Sequence, residues 1–401
     1  CYFFGNSFFS IKLISLLLYC LSSLGIYLLS KQLFKQKEVS LFIALSFFLM
    51  PAVSVSSFLV STDVVLILFW TLSMFQILKI METSRIVDFV LLGIFVGLAF
   101  LAKYAAVYFF ICLIFLFIEK KFRKLFYYNY LGFFFSLLVF LAVISPNIIW
   151  NLNNDWSTFS HISDNAGLKR LEINFLGGIV FVSSQILMLG PVLFFFFLFS
   201  FFKYKINTFE LRFLFYFSIP VLLVVLVESV LVRANANWAA PALVSLLICL
   251  TYLVYSISKR AAIINIVINL VFGFLFFLII ATSPDYGPFK RISGISNFAE
   301  TLDKELKIEK IVVGDRLVFS NLSYLFRNHD VEIYTPYNPI KRKMHHFEIS
   351  SPLPESFDEN FIFIGYENEI KYLKNKYSIS LIKKMNVSFK NDPIEIYEVV
   401  F

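Results

Sequence analysis

The chain has 401 residues, of which 59% are hydrophobic, 19% aromatic and only 15% charged, with 52 Phe and a formal net charge of +8. Soluble globular domains do not carry such a composition, so that class is excluded and a polytopic membrane protein is indicated. The four cysteines (Cys1, Cys20, Cys112 and Cys249) show no CxxC or Cys/His spacing, which excludes a disulfide framework and a cysteine metal site.

Ten apolar segments are predicted to cross the membrane: 11–30, 40–60, 62–78, 86–102, 104–118, 128–150, 174–200, 210–231, 238–257 and 262–281. The third to fifth are short, below the ~20 residues usually needed to span. The run 86–118 is too long for one straight helix, and a break at Lys103 resolves it. Two charges stand out in these segments. Asp63 lies in SSFLVSTDVVLILFWTL and Lys103 in GLAFLAKYAAVYFF. A charge near membrane depth is expensive and commonly marks a substrate path, an ion pair or a catalytic site, unless it merely reaches headgroups from a helix end.

The stretches 31–39, 79–88, 119–127, 201–212 and 258–262, all taken as loops, hold 14 basic residues, and the alternate set holds 5. The positive-inside rule puts the first set in the cytoplasm. Asp63, Lys103, the 151–173 loop, the 232–238 loop and the C-terminal region then share the opposite face. A chain starting on that face implies an earlier membrane segment and outer loop upstream of Cys1. The alternative of a lipidated Cys1 is redundant on ten helices.

The loop SPNIIWNLNNDWSTFSHISDNAG supplies Asn151, Trp156 and His161. Aromatic faces and amides suit a sugar, although Trp150 and Trp156 also fit an interfacial belt. His161 offers a divalent-metal ligand, but a lone histidine commonly is none. In VESVLVRANANWAAP, Arg233, Asn237 and Trp238 crowd a turn beside Glu228. Arg233 could fork onto a phosphate or pair with Glu228. Lys103 with Tyr104 offers a second phosphate ligand, or a snorkelling lysine.

From residue 285 on, 16 basic and 17 acidic residues nearly cancel, so the +8 belongs to the membrane part and does not point to nucleic acid. KIEKIVVGDR, DVEIYTP, HHFEIS, NFIFIGYE, ISLIKKMNV and PIEIYEVV are predicted strands. LVFSNLSYLFRN and ENEIKYLKNKY are predicted amphipathic helices. The expected architecture is a polytopic α-helical membrane domain of about ten helices over 1–282, followed by a small extracytoplasmic α/β domain over 283–401.

The ordered set FFGNSFFSIKLISLLLYCLSSLGIYLLSKQLF, STDVVLILFWTL, GLAFLAKYAAVY, PNIIWN…DWSTFSH and ANWAAP resembles bacterial members of the dolichyl-phosphate-mannose protein mannosyltransferase-like family. This is glycosyltransferase family 39, of the GT-C fold, which includes the aminoarabinose transferases of lipid A. The resemblance implies sugar transfer from a polyprenyl-phosphate donor to a lipid or protein acceptor, by a metal-assisted or general-base inverting route, on the periplasmic face of the bacterial inner membrane. By position, Asp63 matches the family's second acidic residue, Lys103 a lysine meeting the donor phosphate, and His161 a loop histidine that helps hold a divalent metal ion. The family's principal catalytic Asp would lie upstream of Cys1. Tyr104, Asn151, Trp156, Arg233, Asn237 and Trp238 complete the expected substrate site. The competing class is a transporter or flippase of lipid-linked saccharides, for which repeated halves or paired broken helices are expected; neither is seen.

Overall fold

The computed structural model describes residues 5, 7–154, 156, 158, 173–203, 207–232, 234–282, 294–305, 309–336 and 346–401. They divide into two compact units, Cys1–Phe277 and Leu278–Phe401.

The first unit is helical. In chain order it contains α1 (Phe8–Phe34), α2 (Lys37–Phe48), α3 (Pro51–Ser56), α4 (Thr62–Thr83), α5 (Ile86–Ala102), a 3-10 turn (Tyr104–Val107), α6 (Tyr108–Leu116), α7 (Lys120–Tyr128) and α8 (Tyr130–Asn153). Then come α9 (Phe175–Leu189), α10 (Pro191–Lys203), α11 (Phe209–Tyr216), α12 (Ile219–Leu231), a second 3-10 turn (Ala236–Ala239), α13 (Ala240–Ile257) and α14 (Lys259–Thr282). Among the described residues, 6 helical stretches are long and apolar enough to cross a membrane, taking α11 with α12 as one, and 7 if α9 and α10 form one broken span. The three other predicted segments are helical but short. The segment 40–60 is split before Pro51, a residue suited to starting a helix, and 86–118 is split at Lys103. At 1.5 Å per residue, α5 with 17 residues is about 26 Å long, somewhat less than a bilayer core of about 30 Å.

Burial sorts these helices. Over their most apolar windows, α4 and α13 are 67% and 72% buried, whereas α8 and α14 are 22% and 11% buried. The latter two therefore present rows of Leu, Ile and Phe outward, as lipid-facing helices do. Helices α5 and α8 pack closely. A methyl at Gly93 would lie 2.3 Å from the Ser136 carbonyl oxygen, and one at Gly97 would lie 2.7 Å from Val143 Cγ1. Glycines four apart let two membrane helices approach backbone to backbone. In α8, Pro146 has no N–H for the Ala142 carbonyl, and the Ser145 hydroxyl donates to that oxygen instead, at 2.8 Å. Between α9 and α10 the chain turns by 120° at Gly190, whose φ of +92° few other residues adopt.

One segment read as a loop is a helix. The stretch 119–127, expected as a loop between two spanning segments, is mostly the helix α7, from Lys120 to Tyr128. Its apolar positions are spaced at helical intervals, which the charge count hid.

The second unit carries α15 (Ile295–Glu305), β1 (Lys310–Val313), α16 (Arg316–Leu325), β2 (Glu332–Tyr334), α17 (Phe347–Ser350), β3 (Phe361–Gly365), α18 (Glu367–Ile370), β4 (Ser378–Met385) and β5 (Ile394–Val400). The sheet order is β2-β1-β3-β5-β4. The pairs β1/β2 and β1/β3 are parallel, and β3/β5 and β4/β5 antiparallel. Alternation along β1 sends Ile311 and Val313 into one apolar cluster and Val312 into another. A strand buried on both faces reads as a continuous apolar run, as KIVV does. The predicted strand HHFEIS is instead partly the short helix α17, and the helix α15 was not foreseen.

Candidate active site

Asp63 sits at the second position of α4, in the favourable field of a helix N-terminus. Ser61 caps that helix. Its hydroxyl accepts from the Asp63 backbone N–H at 3.1 Å and donates to Asp63 Oδ2 at 3.0 Å. This fixes the carboxylate before any distant residue is considered.

Lys103 arrives from the end of α5. The helix stops at Ala102 because Lys103 is extended (φ −162°, ψ 133°), and the 3-10 turn begins at Tyr104. That turn swings the ammonium onto Asp63, with Nζ donating to Oδ1 at 2.6 Å. The pair is mostly buried, the Lys103 side chain being 23% exposed and that of Asp63 11%. From the second 3-10 turn, Asn237 Nδ2 donates to Asp63 Oδ2 at 2.8 Å. Three side chains from three parts of the chain thus converge on one carboxylate. One ammonium bonds Oδ1, and one amide and one hydroxyl bond Oδ2, so Asp63 holds three neighbours in place.

An amide–phenol cluster adjoins Lys103 in sequence. Tyr104 Oη donates to Asn147 Oδ1 at 2.6 Å, and Asn151 Nδ2 donates to the Asn147 carbonyl oxygen at 2.9 Å. Asn147 and Asn151 are one helical turn apart on α8, so they present one face. Asn151 is fully buried, with its amide held against Asn147. Tyr104 also packs on Phe100, with ring centroids 4.9 Å apart. The close packing of α5 on α8 at Gly93 and Gly97 is what brings Tyr104 within reach of this cluster.

Asp63, Ser61 and Asn237, with Ser56, also form polar lining of a cavity of about 360 Å³. Its remaining wall is largely apolar and includes Tyr19, Phe47, Met50, Leu187, Leu243 and Phe276. A carboxylate with its cation at the edge of an apolar cavity is an amphiphile's site in outline, with charge chemistry at one end and room for hydrocarbon at the other.

The structure thus brings together Asp63, Lys103 and Asn237, and separately Tyr104 and Asn151. Trp238 is partly buried and packs against the main core. Trp156 is 44% exposed, has a φ of +54°, and its backbone N–H donates to the Asn151 carbonyl at 2.9 Å. Arg233 and His161 lie outside the described residues. Glu228 accepts a hydrogen bond from Tyr108 Oη at 3.3 Å. Ser61 and Asn147 were missed as site residues. Their signals were a Ser two residues before Asp63, and an Asn four residues before Asn151. Among the described residues no three His, Cys, Asp or Glu side chains gather as metal ligands, and Asp63 is committed to Lys103. These residues by themselves do not fit a divalent ion.

Known proteins match this chain in sequence and in fold. Residues 1–150 match the family model of dolichyl-phosphate-mannose-protein mannosyltransferases. Lipid A galacturonosyltransferase RgtD from Rhizobium johnstonii is 26% identical over 346 residues, covering 82% of this chain and 71% of that protein. The crystal structure of ArnT from Cupriavidus metallidurans bound to undecaprenyl phosphate matches with a TM-score of 0.63 at 11% identity, over 97% of this chain and 84% of that one. Its apo structure gives 0.64 at 11% identity, over 96% and 83%. The chain is a multi-pass membrane protein with an ArnT-like fold. Its first 150 residues are similar to the dolichyl-phosphate-mannose-protein mannosyltransferases, and most of its length is similar to a lipid A galacturonosyltransferase.

Proposed function

We propose that the protein transfers a sugar from a polyprenyl-phosphate donor to a lipid acceptor at the membrane surface. The observation that carries this is Asp63, which lines an apolar cavity and holds the Lys103 ammonium at 2.6 Å. The names of the relatives support it: one is a lipid A galacturonosyltransferase and another is seen with undecaprenyl phosphate. A lysine ammonium has three N–H donors, and Asp63 takes one here. The other two are then offered to the donor's phosphate oxygens, whose charge grows as the glycosidic bond breaks. The cavity accommodates part of a hydrocarbon chain, while Asn237 and Tyr104 contact polar groups of the sugar or acceptor. Arg233 adds a second phosphate contact, and Trp156 and Trp238 flank the sugar.

Asp63 in this reading orients Lys103 and Asn237. The acceptor hydroxyl gives its proton to another base, which the family resemblance puts in the first outer loop. A divalent ion held through His161 is a further element of the proposal. No step is routed through it. The reacting face and the domain from residue 283 are assigned to the periplasm, in line with the basic-residue asymmetry, with ten crossings in this chain. Reporter fusions beyond residue 282 that become active in the cytoplasm would overturn that assignment.

The test uses the full-length protein in mixed micelles with a labelled polyprenyl-phosphate sugar and a lipid A acceptor. Transfer should occur, and Lys103→Ala should raise the donor KM more than tenfold, as the loss of a charge-assisted contact implies. Movement of intact donor across a liposome membrane without product would favour a flippase and sink this reading.

A further inference from the structure

Helix α7, KKFRKLFYY, joins α6 to α8. It is anchored by aromatic packing. Phe122 is only 1% exposed and meets Phe117 and Phe133 edge-on, at centroid distances of 5.2 and 5.9 Å. Phe126 packs on the same two rings, both at 5.0 Å. The cations Lys120, Lys121, Arg123 and Lys124 are all exposed.

The nearest acid in sequence is already committed. Glu119 takes the Arg212 guanidinium on both oxygens, at 2.6 and 3.0 Å, and accepts from Tyr216 Oη at 3.0 Å. Arg123 donates one N–H to the Phe117 carbonyl oxygen at 3.2 Å, which leaves its charge without a carboxylate. Among the described residues no ion pair is recorded for any of the four cations. Tyr127, Tyr128 and Tyr130 are 75%, 77% and 60% exposed, immediately before and at the start of the spanning helix α8. A phenol ring suits the headgroup layer, apolar in body and polar at its tip. Because α8 begins two residues after α7 ends, α7 must lie at the membrane surface.

We infer that α7 is a docking surface for anionic phospholipid, taking headgroup phosphates on Lys120, Lys121, Arg123 and Lys124 while its tyrosines lie among the headgroups. Charge complementarity chooses the occupant. Four uncompensated cations at a bilayer surface face phosphates in every direction, and a basic segment beside a spanning helix attracts acidic lipids. The internal Glu119–Arg212 bond shows what an anion does here when the chain supplies one: it is taken on both oxygens by the Nε/Nη2 edge of the guanidinium. Helix α7 supplies no second acid for its own cations, so the lipid does.

The test reconstitutes the full-length protein in phosphatidylcholine with a minor fraction of spin-labelled phosphatidylglycerol and measures the motionally restricted fraction. Phosphatidylglycerol should be enriched at the protein over spin-labelled phosphatidylcholine, and added salt should reduce the preference. A variant with Lys120, Lys121, Arg123 and Lys124 all changed to Gln should lose most of it at low salt. Its fold is checked by an unchanged elution profile and melting temperature, as the four side chains are exposed. The control Lys31→Gln with Lys37→Gln removes two cations elsewhere and should keep the preference. An equal loss in the control would mean diffuse electrostatics, and an unchanged preference in the four-fold variant would remove the site. Charge-dependent capture of an acidic peptide by α7, with no preference for phosphatidylglycerol, would assign the face to a protein partner. Any of these three results overturns the proposal.

Discussion

Neutralising Lys103 while preserving its stem, as Lys103→Met, isolates the central ion pair. Fully buried pairs lose about 3–5 kcal/mol when one partner is removed, because the other charge stays behind. Here both side chains retain some exposure, 23% for Lys103 and 11% for Asp63, and Asp63 keeps Asn237 and the Ser61 hydroxyl. The expected cost is therefore lower, about 2–3 kcal/mol, near that of one charge-assisted hydrogen bond. Asp63→Leu should cost at least as much, since it also strips an acceptor from Asn237 and Ser61. The double variant should be less damaged than the sum of the singles by about 1.5–3 kcal/mol, the energy of a pair that each single change already breaks. Reversible unfolding of the full-length protein in mixed micelles measures all four corners of the cycle. A coupling below about 0.5 kcal/mol is the level of independent sites, and it would mean the two charges do not bond as described.

Gly97→Leu should destabilise the protein by about 1–3 kcal/mol through overpacking against Val143. It should also lower transfer activity, by pushing apart the helices that carry Tyr104 and Asn147; unaltered unfolding would contradict the close α5–α8 contact. Tyr104→Phe removes the donor to Asn147 and should cost about 1 kcal/mol of stability while weakening donor binding, read by titration with a labelled donor. In the second unit, Asp315 caps α16 by accepting from the Leu317 and Val318 N–H groups at 2.9 and 3.0 Å, and it pairs with Lys390. Burial favours its neutral form, but Lys390 and those two N–H groups outweigh burial and hold its carboxyl below the usual range. A depressed folded-state pKa contributes stability above the unfolded value, near 3.8, that is lost as pH falls through the folded one. Amide protection over residues 309–336, with exchange corrected for its intrinsic pH dependence, should accordingly fall in acid, and Asp315→Asn should flatten that dependence. An identical acid profile in the variant would refute the assignment.

Much of this protein is legible from local chemistry. The membrane class follows from 52 Phe and 59% hydrophobic residues, because such a surface has no soluble state. The break at Lys103 was legible because an apolar run of such length cannot be one straight spanning helix. The strands around KIVV and FIFIG follow from side-chain period and length. Asp63 and Lys103 were each conspicuous because a charge in an apolar helix is costly wherever its partner lies. Their bond to each other was not legible. Forty residues separate them, and only the extended backbone at Lys103 and the placement of α4 beside α5 bring Nζ to Oδ1. Asn237 joins them across 174 residues, a distance over which sequence carries no geometric information. The opposite error occurred at α7, where a dense run of charge concealed helical spacing, and at HHFEIS, where strand-like alternation sits partly in a short helix. Sequence by itself determined which residues are expensive, and hence which to suspect. Tertiary structure decided which of them neutralise one another, because that depends on the glycine-mediated approach of helices and on turns whose direction is set by packing rather than by composition.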